Sequence, residues 1–384
     1  MSDLSLVPPP VVVNPSADSP YATKNRLWQG IPGIERAPGG SLWAVWYSGG
    51  KGEGPYNYVV AVNSGDDGQT WSSPSVVIDP PGEVRAYDPV LWLDPDGKLW
   101  LFWAQSRTWY DGRAGVWAIT TTDPDSETPT WTTPRRLCNG VMMNKPTVLR
   151  NGTWLLPAAV WIQDGEEKHP ELIHERFSNV HASNDAGKTV SLLGGADVPD
   201  RSYDEHMVVE RKDGTLWMLV RRHHGIGESV SSDGGKTWSP GTLSPIAHTS
   251  SRLFIRRLLS GRLLLVKHGP IAEKVGRSHL TAYLSDDDGK TWQGGLMLDE
   301  RANVSYPDGT QAPDGTIYIT YDRSRTEEKE ILFATFREDD VMAGKPVSPQ
   351  IRLRQLINKV PVIKEADVRP NDDTATPASP VSAD

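Results

Sequence analysis

The chain has 384 residues, 37% hydrophobic and 23% charged, which is enough apolar chain for a large core and too much for a mostly disordered protein. A net charge of -9 excludes nucleic acid or an anionic membrane as a general partner, because both reward a basic surface. The single cysteine, Cys138, excludes an intrachain disulfide and a Cys-based zinc site, and reads as a small buried residue.

Taken in chain order, residues 1–25 read as an extended segment with a Val-rich patch broken by prolines. It has no basic stretch of the kind that opens a signal peptide. No apolar run reaches the ~18 residues that a bilayer span needs, so the cytoplasm is the expected location. Residues 26–345 carry two interleaved repeats. Residues 346–366 read as a closing segment, and 367–384, rich in Pro, Asp, Thr, Ala and Ser, as a disordered tail.

The first repeat is a Gly followed two residues later by an apolar residue that opens a strand. It occurs at Gly40, Gly97, Gly152, Gly214, Gly261 and Gly315, at intervals of 57, 55, 62, 47 and 54 residues. Gly supplies the positive φ of a tight hairpin, and most of these follow Asp, Asn or Gly. The second repeat, S-x-D-x-G-x-T-W, is complete at Ser64–Trp71, Ser231–Trp238 and Ser285–Trp292, carries Val190 for Trp at Ser183–Val190, and is decayed at Thr121–Trp131. Its Ser and Asp bond turn amides, while its Trp wedges between sheets. Two hairpin signals per unit of about fifty residues predict an all-β, six-bladed β-propeller of four-stranded blades. Both turn types then share the lower face, which leaves the other loops around the upper mouth of the central channel. The 15 Trp against 5 Phe fit a core of packed sheets.

The register also aligns positions. Counting back from each Gly to the upper end of the innermost strand gives Gly30, Asp88, Lys145, Glu205, Arg252 and Tyr306. Counting forward to the upper end of the second strand gives Tyr47, Gln105, Trp161, Arg221, His268 and Asp322. Packing alone does not favour so polar a set, so these positions predict a site at the mouth.

The S-x-D-x-G-x-T-W turn is the Asp box, and over roughly residues 28–340 the chain resembles the sialidases. The resemblance implies a retaining glycoside hydrolase that takes a terminal acidic sugar and needs no cofactor. The run Asp204-Glu205-His206 through Leu219-Val220-Arg221 is similar to the stretch carrying the catalytic Glu and a carboxylate-binding Arg. Arg277 is similar to a further binding Arg, and Tyr306 to the nucleophilic Tyr. Lys145, Arg252, Asp88, His268 and Gln105 complete the expected substrate-binding set.

The sequence departs from that pattern twice. Gly30 stands where the family's first clamp Arg is expected, leaving Arg26, Lys145 or Arg252 to substitute. The loop Ser48–Tyr58 holds no Asp for acid/base catalysis, and Glu53 is its only carboxylate. Two other readings share the architecture: a propeller lyase acting on a rhamnose-glucuronate linkage with a His or Tyr base, and a non-catalytic glycan binder using Tyr56, Trp109, Tyr110 and Trp161. Three cations at the mouth favour the hydrolase, whereas a His within reach of Tyr306 favours the lyase. The His residues show no metal-ligand spacing with one another.

Overall fold

A computed structural model describes residues 3–162 and 168–361, so the tail expected at 367–384 lies outside the described residues. Six antiparallel sheets stand around one channel. Blade 1 comprises Gln29–Arg36, Leu42–Ser48, Tyr58–Ser64 and Val76–Ile78, and blade 2 comprises Val84–Leu93, Leu99–Arg107, Gly115–Thr121 and Arg135–Asn139. Blade 3 runs from Thr147–Val148 through Trp154–Ala159 and Ser178–Ser183 to Ser191–Ala196. Blade 4 is Met207–Glu210, Leu216–Arg222, Gly225–Ser231 and Thr242–Leu243; blade 5 is Phe254–Arg257, Leu263–His268, Leu280–Ser285 and Gln293–Asp299. Blade 6 is Val304–Gln311, Ile317–Arg323, Glu330–Phe336 and Arg352–Lys359.

Alternation along the second strands explains the stacking of blades. In Leu42–Ser48, Trp43, Val45 and Tyr47 pack with Leu99, Leu101 and Trp103 of blade 2, while Leu42, Ala44 and Trp46 pack with Tyr318, Ile331 and Phe333 of blade 6. A period of two therefore serves two interfaces at once. Each large side chain so buried contributes about 1.5–3 kcal/mol relative to exposure.

The Asp boxes are self-contained turns. At Asp66, Asp185, Asp233 and Asp287 the carboxylate accepts the backbone N–H and the hydroxyl of the Thr four residues on, and the Ser two residues before donates to it. Those bonds hold all four carboxyls at about 2. The Trp wedges behave as expected: Trp71 meets Phe333 of blade 6 edge-on at 5.8 Å, and Trp131 meets Trp43 of blade 1 at 5.6 Å. Blade 6 carries a short α-helix, Glu338–Ala343, where its Asp box would fall.

No blade mixes strands from both ends of the chain, so side chains close the ring. Gln29 donates to the Lys329 and Asn358 carbonyls, and Arg26 donates to Asn358 Oδ1. The N-terminal segment adds Val11–Val13 to the outer edge of blade 1 and passes its Ser5 and Val7 carbonyls to Gln105 Nε2.

Candidate active site

The inner strands do not run straight to the upper mouth. Register shifts interrupt blade 1 between Gly30 and Gly33, blade 2 between Tyr87 and Val90, and blade 6 between Ser305 and Asp308. At these bulges Ile31, Asp88 and Tyr306 take φ of 58°, 48° and 56°, each followed by a proline, which removes an N–H from the ladder. In blade 4 the equivalent residue is Glu205, with φ of 43°. Left-handed backbone at non-glycine residues is strained, and here it turns one side chain per blade out of the sheet and toward the axis.

The result is an upper cavity of about 530 Å³, in the size range of a sugar site. Tyr306, Glu205, Arg221, Arg277, Asp88 and Glu53 all line it. The Tyr306 hydroxyl donates to Glu205 Oε1 at 3.2 Å and accepts from Arg221 Nη1 at 3.2 Å, and the Arg221–Glu205 pair closes the triangle at 2.5 Å. All three are buried, and Glu205 Oε2 has no partner among the described residues. Burial and the neighbouring Glu205 push the Tyr306 phenol up, against the pull of Arg221, Arg277 and Arg325. Arg277 lies 5.4 Å from the Tyr306 ring centroid; among the described residues its only side-chain hydrogen bond goes to the Ser250 carbonyl. Asp88 is 2% exposed, its Oδ1 has no partner among the described residues, and burial pushes its carboxyl up to about 8, assisted by Glu53 and Glu205 against Arg85.

The other expected binders are engaged elsewhere. Lys145 turns down the channel and pairs with Glu35 and Asp308, both at 3.2 Å, while its ammonium also donates to the Ile34 and Leu91 carbonyls. Arg252 pairs with the same Asp308 at 3.2 Å. Gln105 holds the N-terminal segment, and His268 Nε2 bonds the Val304 carbonyl at 2.8 Å, two residues before Tyr306. None of these four lines the upper cavity. Arg26 is buried at the ring closure, so none of the three cations expected to replace the missing one at Gly30 does so.

Among the described residues, no His lines the cavity. His206 and His268 bond backbone carbonyls, and burial lowers them to about 4 and about 3, which keeps both neutral. Among the aromatics expected for a glycan binder, Trp109 and Trp161 line the cavity together with Tyr87 and Tyr203; Tyr56 and Tyr110 do not.

The register reading missed Arg325 and Arg85. Arg325 leaves the loop after Asp322, 5.0 Å from the Tyr306 ring centroid and 2.6 Å from Glu53 Oε1. Arg85 sits 3.9 Å from the Tyr87 ring centroid and donates to the Trp109 carbonyl. Arg325 is on a loop, whose side-chain direction no strand register sets. The repeated X-Pro after Ile31, Asp88 and Tyr306 is a sequence signal for the bulges.

The family model for a BNR repeat-like domain matches residues 40–319, well over half the chain. The protein belongs to the BNR repeat-like family. Solved structures share the fold of this BNR-repeat propeller at low identity. The Hadza microbial sialidase Hz136 is 20% identical with a TM-score of 0.61, covering 82% of this chain and 66% of its own. The intramolecular trans-sialidase from Ruminococcus gnavus is 15% identical with a TM-score of 0.64, covering 91% of this chain and 100% of its own. A protein of unknown function from Dyadobacter fermentans is 16% identical with a TM-score of 0.61, covering 85% and 96%. No curated protein sequence matches the chain.

Proposed function

We propose that this protein is an exo-acting glycoside hydrolase that releases a terminal carboxylated sugar with retention of configuration. The observation that carries this reading is the Tyr306 hydroxyl, held at 3.2 Å from both Glu205 and Arg221 inside a cation-rich cavity. A sugar whose carboxylate adjoins the anomeric carbon repels an anionic nucleophile. A phenol is neutral until its proton leaves, and the raised Tyr306 group keeps that proton until Glu205 takes it.

In the first step the Tyr306 oxygen bonds the anomeric carbon while its proton passes to Glu205. The glycosidic C–O bond breaks, and the leaving oxygen takes a proton from Glu53. In the second step water attacks the same carbon and gives its proton to Glu53. The Tyr306 oxygen leaves and recovers its proton from Glu205. Arg221 and Arg277 hold the sugar carboxylate, since guanidinium groups stay charged and bind carboxylates in a planar fork. Asp88, protonated at neutral pH, adds a hydrogen-bond donor without adding a second negative charge.

The lyase reading requires a base that abstracts an α-proton. Among the described residues no His lines the cavity, which leaves only a Tyr for that role and removes the His-beside-Tyr306 arrangement that favours the lyase. The test is a panel of sialosides, Kdo glycosides and uronate-ended oligosaccharides, followed by NMR for the first-formed anomer and by near-ultraviolet absorbance. Release of one acidic sugar with its starting anomeric configuration supports the proposal. An unsaturated, ultraviolet-absorbing product establishes the lyase instead, and saturable binding without turnover establishes a glycan-binding module.

A further inference from the structure

The missing side chain at residue 30 and the unexpected one at residue 325 occupy the same space. A Cβ placed on Gly30 would lie 2.3 Å from Cδ of Arg325 and 2.7 Å from its Cγ. Gly30 is not in the left-handed region, so conformational freedom does not call for a glycine here. Clearance does: the aliphatic stem of Arg325 passes through the volume that any side chain at position 30 would fill.

The head group is held where a ligand carboxylate would need it. Asp322 Oδ2 stands 3.7 Å from Arg325 Nε and also accepts the Ile31 N–H at 2.8 Å, while Ser305 Oγ donates to its other oxygen at 2.8 Å. Thus a buried carboxylate, fixed by blades 1 and 6, anchors the inner edge of the guanidinium. Glu53 Oε1 takes Nη1, and among the described residues no hydrogen bond engages Nη2. Burial opposes the Arg325 charge, but Asp322, Glu53 and Tyr306 outweigh it and hold the group above its ordinary range. Its distance to the Tyr306 ring centroid, 5.0 Å, is close to the 5.4 Å of Arg277. Guanidinium groups from blades 4, 5 and 6 therefore surround one phenol.

We infer that Arg325 is a carboxylate-binding residue of this site, carried by the blade 6 loop, and that Gly30 is the clearance that admits it. The inference rests on the acidic-sugar reading and names what selects the acid. In the free protein Glu53 occupies one edge of the Arg325 fork, so an incoming carboxylate competes with Glu53 for a single guanidinium. Ligand binding then frees Glu53 toward the leaving group.

The experiment uses the full chain and two probes that differ only in charge: 2-deoxy-2,3-didehydro-N-acetylneuraminic acid and its methyl ester, titrated by calorimetry. Wild type is expected to favour the acid at least about 10-fold. Arg325→Ala should lose about 10- to 100-fold for the acid, the range of one hydrogen bond to a charged group. Its affinity for the ester should change less than about 3-fold, so the acid/ester ratio collapses. Gly30→Ala leaves every ionisable group in place yet crowds the Arg325 stem, and should lower the same ratio by a smaller factor. It also serves if Arg325→Ala does not fold. Equal losses for acid and ester, or an unchanged ratio in both variants at a preserved melting temperature, overturn the inference while leaving the acidic-sugar reading intact. A wild type that does not prefer the acid overturns that reading, and the inference with it.

Discussion

The upper mouth and the channel beneath it are both crowded with buried charge, yet they are built differently. In the channel, Lys145 and Arg252 face Glu35 and Asp308, two cations against two carboxylates, and backbone groups of blades 1 and 2 take up remaining positions on Lys145 and Glu35. At the mouth, Arg85, Arg221, Arg277, Arg325 and Lys51 line the cavity with Glu53, Glu205 and the protonated Asp88, and Asp322 stands behind Arg325, so the cations outnumber the carboxylates. Unpartnered oxygens remain there on Asp88 and Glu205. Buried cations matched to carboxylates fix how blades meet, even with Arg252 Nε and Nη1 left unpartnered among the described residues; an excess of cations awaits an anion, and orphaned carboxyl oxygens beside it await hydroxyl donors.

That contrast is open to direct attack, and the largest effect is expected at Tyr306. Tyr306→Phe removes the attacking oxygen and its two hydrogen bonds, so kcat should fall on the order of 10³-fold or more while the melting temperature holds. A loss of stability with turnover preserved would move Tyr306 into the structural class. Lys145→Met should do the reverse. It leaves Glu35 and Asp308 buried without this cation and should cost about 3–5 kcal/mol in denaturant unfolding, with KM unchanged in the folded fraction. An altered KM without destabilisation would erase the distinction between the two regions.

Arg277→Ala should raise KM about 10- to 100-fold with no change in melting temperature, because this Arg has no carboxylate partner among the described residues. The smallest effect concerns pH. Asp88 carries its proton below about 8, so KM should climb as pH rises through 8 and a further negative charge enters the mouth. The same group binds a proton in the folded state that the unfolded chain has released above about 4. Its contribution to stability therefore falls between pH 4 and 8, and Asp88→Asn should flatten both trends. An alkaline limb that survives Asp88→Asn assigns it to another group.

What the sequence shows of this molecule follows from which interactions are local. Gly40 and its five counterparts, and the Asp boxes at Asp66, Asp185, Asp233 and Asp287, complete their turns within a few residues, so the fold is readable from them. Glu205, Arg221 and Tyr306 were readable as neighbours because strand register carries their height around the ring. Lys145 and Arg252 have the right height as well, but partners on other blades draw them down the channel, and register says nothing of those partners. Gln105 is claimed by a segment about a hundred residues earlier. Arg325 was hidden because its loop direction is set by Asp322 and by the space at Gly30, two features that become related only in three dimensions.

The most direct measurement of the central claim is covalent trapping. Once the panel has named the sugar, its 3-fluoro glycosyl fluoride should load the enzyme and then turn over slowly, since fluorine beside the anomeric centre slows departure of the nucleophile. Peptide mass spectrometry is expected to place one glycosyl adduct on Tyr306, absent in Tyr306→Phe. An adduct on a carboxylate, or an inverted product with no adduct, would contradict the account.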